Sequence, residues 1–323
     1  MTIASMTKKV LITGGTGFLG RHLGLAMKNH YSVFLTGRNN KQNSIAASYS
    51  GCNVLPMDVS RIESVRDAFS EVRPDIVIHA AATKFVDLAE RQPMECIDVN
   101  VTGSQNVARV AIERDVKTVI GISTDKATPP VRNTYGLSKA LMERMFCSMD
   151  MKSDTRFSCV RYGNVAWSTG SVLPIWKKMH QESGMIGTTG PQMRRFFFTV
   201  DEAVQLVLTA IARIPELHGK VLSREMKAAQ IQDVLRVWTT NKGGSWRVID
   251  GRPGEREDEF LIGDLELPYA HEKVYDGIRH FIISFNERVL TPLHEGLSSA
   301  NAVRLTDKEI LKLITNIPPE EAL

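Results

Sequence analysis

The sequence predicts a doubly wound α/β fold, and three observations carry that expectation. Short apolar runs of strand length recur at residues 10–13, 33–36, 54–57, 76–80, 116–122 and 157–162. Stretches of helical period lie between them at residues 19–28, 62–72, 94–114 and 138–149. A glycine cluster, Gly14, Gly17 and Gly20, sits at the first junction of strand and helix. The runs are continuously apolar rather than alternating, as expected of parallel strands covered on both faces.

Residues 1–165 are expected to form a dinucleotide-binding Rossmann domain that also carries the reactive side chains. After about residue 165 the rhythm breaks, with Gly and Pro denser at 168–171, 187–191 and 251–254. Residues 166–323 are therefore expected to be mainly a smaller α/β substrate-binding region over the carboxyl ends of the strands. Residues 200–213 regain helical period and should return to the first domain.

Composition narrows the function classes. Apolar residues at 43% and charged residues at 24% are ordinary globular values and exclude disorder. A formal charge of +4 suits a small anionic ligand better than nucleic acid. The scattered Cys52, Cys96, Cys147 and Cys159 form no metal-ligand pattern and read as reduced thiols of a cytoplasmic protein. Met1 to Met6 lack the pattern of a signal peptide, and Met6 is a candidate natural start. No apolar run approaches the ~20 residues of a membrane span, so neither membrane nor metal is expected.

The cofactor half of the reading rests on the first turn. Glycines there permit a tight turn and close approach to a pyrophosphate, with the following helix directing free N–H groups at the anion. Thr16, Phe18 and Leu19 belong to the same turn. Where the second run ends, Arg38 stands in place of an acid. A guanidinium there suits a ribose 2′-phosphate, so NADP is expected ahead of NAD. Asp58, with Val59 beside it, is placed to meet the adenine, and the small Ala80, Ala81 and Ala82 leave room for the dinucleotide.

The chemical half is a cluster of reactive groups. Thr124, Asp125 and Lys126 follow the fifth run, and Tyr135 and Lys139 form a YxxxK pair one helical turn apart. An ammonium on Lys139 is expected to lower the Tyr135 phenol so that it can take a substrate hydroxyl proton, with Thr124 bonded to the same oxygen. Asp125 and Lys126 add an acid and a base that plain oxidation does not need, and they are expected to share the Thr124 cleft.

With these residues the chain resembles the extended short-chain dehydrogenase/reductase superfamily. The ordered motifs Ser123-Thr-Asp-Lys-Ala127, Tyr135-Gly-x-x-Lys139, Arg161-Tyr-Gly-Asn-Val165, Gly170-Ser-Val172, Arg195-Phe196 and Arg252-Pro-Gly-Glu255 narrow it. Together they resemble the soluble UDP-N-acetylglucosamine 4,6-dehydratases of the inverting kind, from about residue 8 to 262, with an echo at 298–301.

The resemblance implies a nucleotide-sugar lyase reaction of three parts. C4 is oxidised with Tyr135 as base, water is lost with Lys126 taking the C5 proton and Asp125 protonating O6, and hydride returns to C6. It also implies substrate contacts from Lys84, Asn164, Ser171, Val172, Arg195, Arg252 and Glu255, Asn100 behind the catalytic strand, and a homo-oligomer. Three alternatives remain. A 4-epimerase would leave Asp125 and Lys126 idle, a relative could act on a GDP-linked sugar or retain C5, and a silent protein could merely sense NADP(H). Two departures, a longer 127–134 loop and Trp167-Ser-Thr-Gly170, are expected to border the substrate.

Overall fold

The structure, a computed structural model, describes residues 7–251 and 254–319. The expectations for residues 1–6 and for Arg252 lie outside the described residues. Strands β1 (Lys9–Thr13), β2 (Ser32–Gly37), β3 (Asn53–Pro56), β4 (Ile76–His79), β5 (Thr118–Ile122) and β6 (Arg156–Val160) each fall within two residues of an expected run at both ends. They form a parallel sheet in the order β3-β2-β1-β4-β5-β6, whose reversal at β1 makes it doubly wound. β1 and β4–β6 are buried along almost their whole length, which is why they read as continuous apolar runs.

Helices α1 (Phe18–Met27), α2 (Asn40–Ser50), α3 (Ile62–Val72), α4 (Val86–Arg91), α5 (Pro93–Cys96), α6 (Gly103–Glu113) and α7 (Thr134–Asp150) connect these strands. The α2 helix escaped the sequence reading because it buries little beyond Ala46 and Ser50. The long helix expected over 94–114 is interrupted by a π-helical turn, Ile97–Thr102. That wide turn carries Asn100, whose buried amide bonds the backbone of Thr83 in both directions, at 2.8 and 3.0 Å.

The second half of the chain divides itself between sheet and cleft. It begins with β7 (Asn164–Val165), α8 (Val172–Ser183), β8 (Met185–Thr188), β9 (Arg194–Phe198), α9 (Val200–Ala212), α10 (Ile214–Leu217), β10 (Lys220–Arg224) and β11 (Ala228–Gln230). It continues through α11 (Ile231–Lys242), β12 (Ser245–Val248), β13 (Phe260–Ile262), β14 (Ala270–Tyr275), β15 (Ile278–Ser284), β16 (Leu297–Ser298) and α12 (Asp307–Thr315).

β10 extends the parallel sheet, and β15 and β14 close its edge antiparallel, giving nine strands among the described residues. The sheet is thus mixed where the sequence predicted it parallel. The cause is local: Asp276-Gly277, both at positive φ, make the two-residue turn of a hairpin between Tyr275 and Ile278. Three small sheets, β11-β9-β7, β8-β12 and β13-β16, form the loop-rich region beside the cleft. Trp167 does not line the cleft; it is buried, and its indole N–H donates to Leu313 O at 2.8 Å, tying α12 down.

Candidate active site

A cleft of about 930 Å³ opens at the carboxyl ends of β1, β2, β4 and β5. One end is the glycine turn. Gly14 sits at φ +62°, and a Cβ there would come within 2.6 Å of Ala81 Cα, so only glycine lets the two strand ends approach so closely. Gly17 is the N-cap of α1 and offers no capping side chain, which leaves first-turn N–H groups without a side-chain partner. Thr16, Phe18, Leu19, Gly20, Arg38, Val59, Ala80, Ala81 and Ala82 line the same end.

His79, at the end of β4, holds this floor together. Its ring nitrogens lie 2.8 Å from Thr13 Oγ1 and 2.9 Å from Ser104 Oγ. Burial, helped by the Lys139 charge, lowers the imidazole to about 3, so it is a neutral strut. Arg38 reaches between Glu95 at 3.6 Å and Asp58 at 4.0 Å. Asp58 does not line the cleft, and its Oδ1 is occupied by the backbone N–H and hydroxyl of Ser60.

The other end is built where β5 meets α7. Asn133 caps α7 by accepting from Gly136 N at 2.8 Å, so Tyr135 falls in the first turn. Gly136 packs onto the Asp125–Ala127 turn so closely that a Cβ would strike Lys126 O. This contact brings Tyr135 beside Thr124 and Lys126, although no sequence pattern announces it.

Three expectations are corrected here. Asp125 does not share the open cleft; it is fully buried, and its backbone N–H donates to Tyr162 O at 2.9 Å. Thr124 Oγ1 donates to Asp125 Oδ1 at 2.9 Å, and Lys126 Nζ donates to the same oxygen at 3.0 Å. Second, Lys139 is not the ammonium that lowers the phenol. Its Nζ turns under β5 to donate to Ile122 O at 2.8 Å, and burial lowers it to about 8.

Third, the phenol itself moves upward. Burial pushes Tyr135 up to about 12; the Lys126 charge opposes the rise, Asp125 adds to it, and a hydrogen bond with Thr124 opposes it. Burial also works against the charge on Lys126, but Asp125 and Glu259 together outweigh it and hold the ammonium well above its usual range.

The remaining residues surround this centre. Asn164 Oδ1 lies 3.4 Å from Lys126 Nζ. Lys84, Ser171, Val172, Arg195 and Glu255 all line the cleft, as do Ser168, Thr169 and Gly170. Lys84 lies over the Phe85 ring, and Glu255 accepts from Thr189 Oγ1 at 3.1 Å. Arg195 is held by the carbonyls of Arg194, Arg256 and Glu257, whereas Arg194 turns away to pair with Asp258 and Glu257. Asn100 is buried among Thr83, Cys96 and Ser138.

Sequence reading missed Glu259, which lines the cleft 3.7 Å from Lys126 Nζ. It stands in the charged run Glu255-Arg-Glu-Asp-Glu259, which reads as a solvated face.

A sheet that reverses at a glycine turn, with Thr124, Tyr135 and Lys139 gathered at its carboxyl edge, defines the extended short-chain dehydrogenase/reductase class. Within it the chain belongs to the polysaccharide biosynthesis protein family, which it matches over residues 10–278. It is 34% identical to a UDP-N-acetylglucosamine 4,6-dehydratase (inverting) of Campylobacter jejuni, over 96% of this chain and 98% of that one. It is also 32% identical to a UDP-glucose 4-epimerase of Rickettsia bellii, over 96% of both chains. Among solved structures, Pen from Bacillus thuringiensis superposes with a TM-score of 0.87 at 28% identity, over 96% of this chain and 97% of that one. No described helix is long and apolar enough to cross a membrane.

Proposed function

We propose that this chain is an NADP-dependent nucleotide-sugar 4,6-dehydratase acting on UDP-N-acetylglucosamine, with inversion at C5. The observation that carries the reading is the pair of buried Asp125 and half-buried Lys126, 3.0 Å apart, touching the Thr124–Tyr135 centre. A 4-epimerase needs no acid–base pair there, and burying one without use is costly. Full-length similarity to an inverting dehydratase supports the same reading.

The Gly14–Gly20 turn, the α1 N-terminus and the small Ala80–Ala82 wall fit a dinucleotide, and Arg38 would meet a 2′-phosphate. A bound nicotinamide would supply reversible hydride transfer, out of C4 and back into C6. The protein's part is to move protons. Tyr135 takes the O4 proton as a phenolate, the form that the Lys126 charge and the Thr124 hydrogen bond favour against burial. Lys126 passes a proton to Asp125 across their 3.0 Å contact and, as an amine, takes the C5 proton.

Asp125 is buried, so its proton reaches O6 through Thr124, whose hydroxyl turns to relay it. Water then leaves, and Tyr135 delivers to C5 the proton it took from O4, on the face opposite the one Lys126 deprotonated, which inverts C5. That delivery restores the Tyr135 phenolate, while Lys126 keeps the C5 proton as an ammonium and Asp125, its proton given to O6, is again a carboxylate, so the site ends as it began.

The test is a proton NMR time course with UDP-N-acetylglucosamine in D2O, first without and then with added NADP+. A new C6 methyl signal with deuterium at C5, and ring couplings of the inverted sugar, is the expected result. A C4 epimer with no methyl signal would overturn the dehydratase reading. Weaker retention of NADP+ than of NAD+ would overturn the reading of Arg38.

A further inference from the structure

We propose that Glu259 is a positioning residue for Lys126, holding its ε-amino group between two buried carboxylates so that it faces the sugar. The proposal deepens the dehydratase reading and rests on it. Lys126 stands on a short 3-10 turn at the end of a flexible four-carbon stem, which fixes nothing about where the amine points. An ammonium has three N–H bonds, and three oxygens surround this one. Asp125 Oδ1 is at 3.0 Å, Asn164 Oδ1 at 3.4 Å and Glu259 Oε1 at 3.7 Å. They come from three distant parts of the chain and restrain the amine from three sides.

Glu259 is itself held with care. Its side chain is only 5% exposed, and its backbone N–H donates to Ser299 Oγ at 3.1 Å while its carbonyl accepts from Ser299 N at 2.8 Å. Ser299 Oγ also lies 2.9 Å from Asp258 Oδ1 and 3.1 Å from Arg194 O. The Ser298-Ser-Ala-Asn301 motif thereby serves to fix Glu259, although it lies far from the cleft residues in sequence. Glu259 Oε2 is buried without a partner among the described residues, which a carboxylate placed for packing alone would not tolerate cheaply.

The charged and titratable groups facing this pair are Asp125, Tyr135, Arg195 and Arg256. Burial raises Glu259, and Lys126 is the largest opposing influence. A charged Glu259 stabilises the positive charge that returns to Nζ as the C5 proton arrives.

The experiment compares wild type, Glu259→Gln and Glu259→Asp, using acetic anhydride labelling of Lys126 against pH, read by mass spectrometry. Turnover of UDP-N-acetylglucosamine and thermal melts accompany it. Glu259→Gln keeps the shape and removes the charge, so the Lys126 labelling midpoint should fall by about one pH unit or more. Turnover should fall about 10- to 100-fold with KM changed less than about threefold, the signature of a misplaced base.

Glu259→Asp keeps the charge but draws it back, so its midpoint should stay near wild type while kcat falls. An unchanged midpoint in Glu259→Gln overturns the proposal, as does a lowered midpoint with unchanged kcat. The labelling needs no sugar, so a wild-type chain that leaves the sugar untouched would sink the dehydratase reading separately from the Glu259 contact.

Discussion

Two buried clusters in this protein use the same parts, one cation between two carboxylates, and differ in what is left over. In the first, Arg161 at the end of β6 is bracketed by Glu143 of α7 and by Glu266. Its bonds run to Glu143 at 2.6 and 2.9 Å and to Glu266 at 2.8 and 2.9 Å, with Leu261 O and Thr128 Oγ1 at 2.9 and 3.0 Å. Every carboxylate oxygen is engaged. In the second, Lys126 stands between Asp125 and Glu259, and one oxygen of each acid has no partner among the described residues.

The two clusters share one stretch of chain, since Glu259, Leu261 and Glu266 lie within eight residues. Arginine cannot give up its proton and its planar fork satisfies both acids, so the first cluster is a fixed clamp. Lysine is a point charge that can pass a proton to a neighbour, and one oxygen of each acid keeps no hydrogen bond among the described residues. Burial alone therefore does not distinguish a structural ion cluster from a reactive one; the cation's chemistry and the unfilled acceptors do.

This contrast can be broken in four ways, taken from the largest expected effect downward. Arg161→Met should leave two buried carboxylates without their cation and cost about 3–5 kcal/mol of stability, measured by denaturant unfolding. Lys126→Arg would convert the reactive cluster into a copy of the clamp. The protein should fold and bind cofactor, yet turnover should drop by about 10³-fold in the NMR assay, because the cation can no longer release its proton. Arg161→Lys keeps the charge and loses the fork, and should cost about 1–3 kcal/mol with activity largely kept.

The smallest effect is on the phenol. Asp125 adds to the upward shift of Tyr135, so Asp125→Asn should lower it from about 12. Phenolate absorbance, with Tyr135→Phe subtracted, reads this directly. A rise instead of a fall would show that the Asp125 charge does not reach the phenol.

Much of the molecule was legible before folding was considered. The glycine turn, the six parallel strands and the Thr124–Lys139 cluster are local in sequence, and local spacing is what strand and helix periods report. Arg195, rather than its neighbour Arg194, lining the cleft also agrees with the motif. Other features were not legible because they depend on packing between distant segments. The direction of the Tyr135 shift follows from burial, and the turn of Lys139 toward Ile122 follows from where α7 lies under β5.

The chain's residue order by itself determined the class of sheet, the glycine turn after β1 and the grouping of Thr124, Asp125, Lys126, Tyr135 and Lys139, because each is written over a short span of sequence. Only the tertiary structure decided how those groups are charged and aimed. It buried Asp125, brought Glu259 from the far half of the chain to Lys126, and let Ser299 fasten it there. Charge states in a cleft depend on desolvation and on neighbours a few ångströms away, and neither is a property of sequence distance.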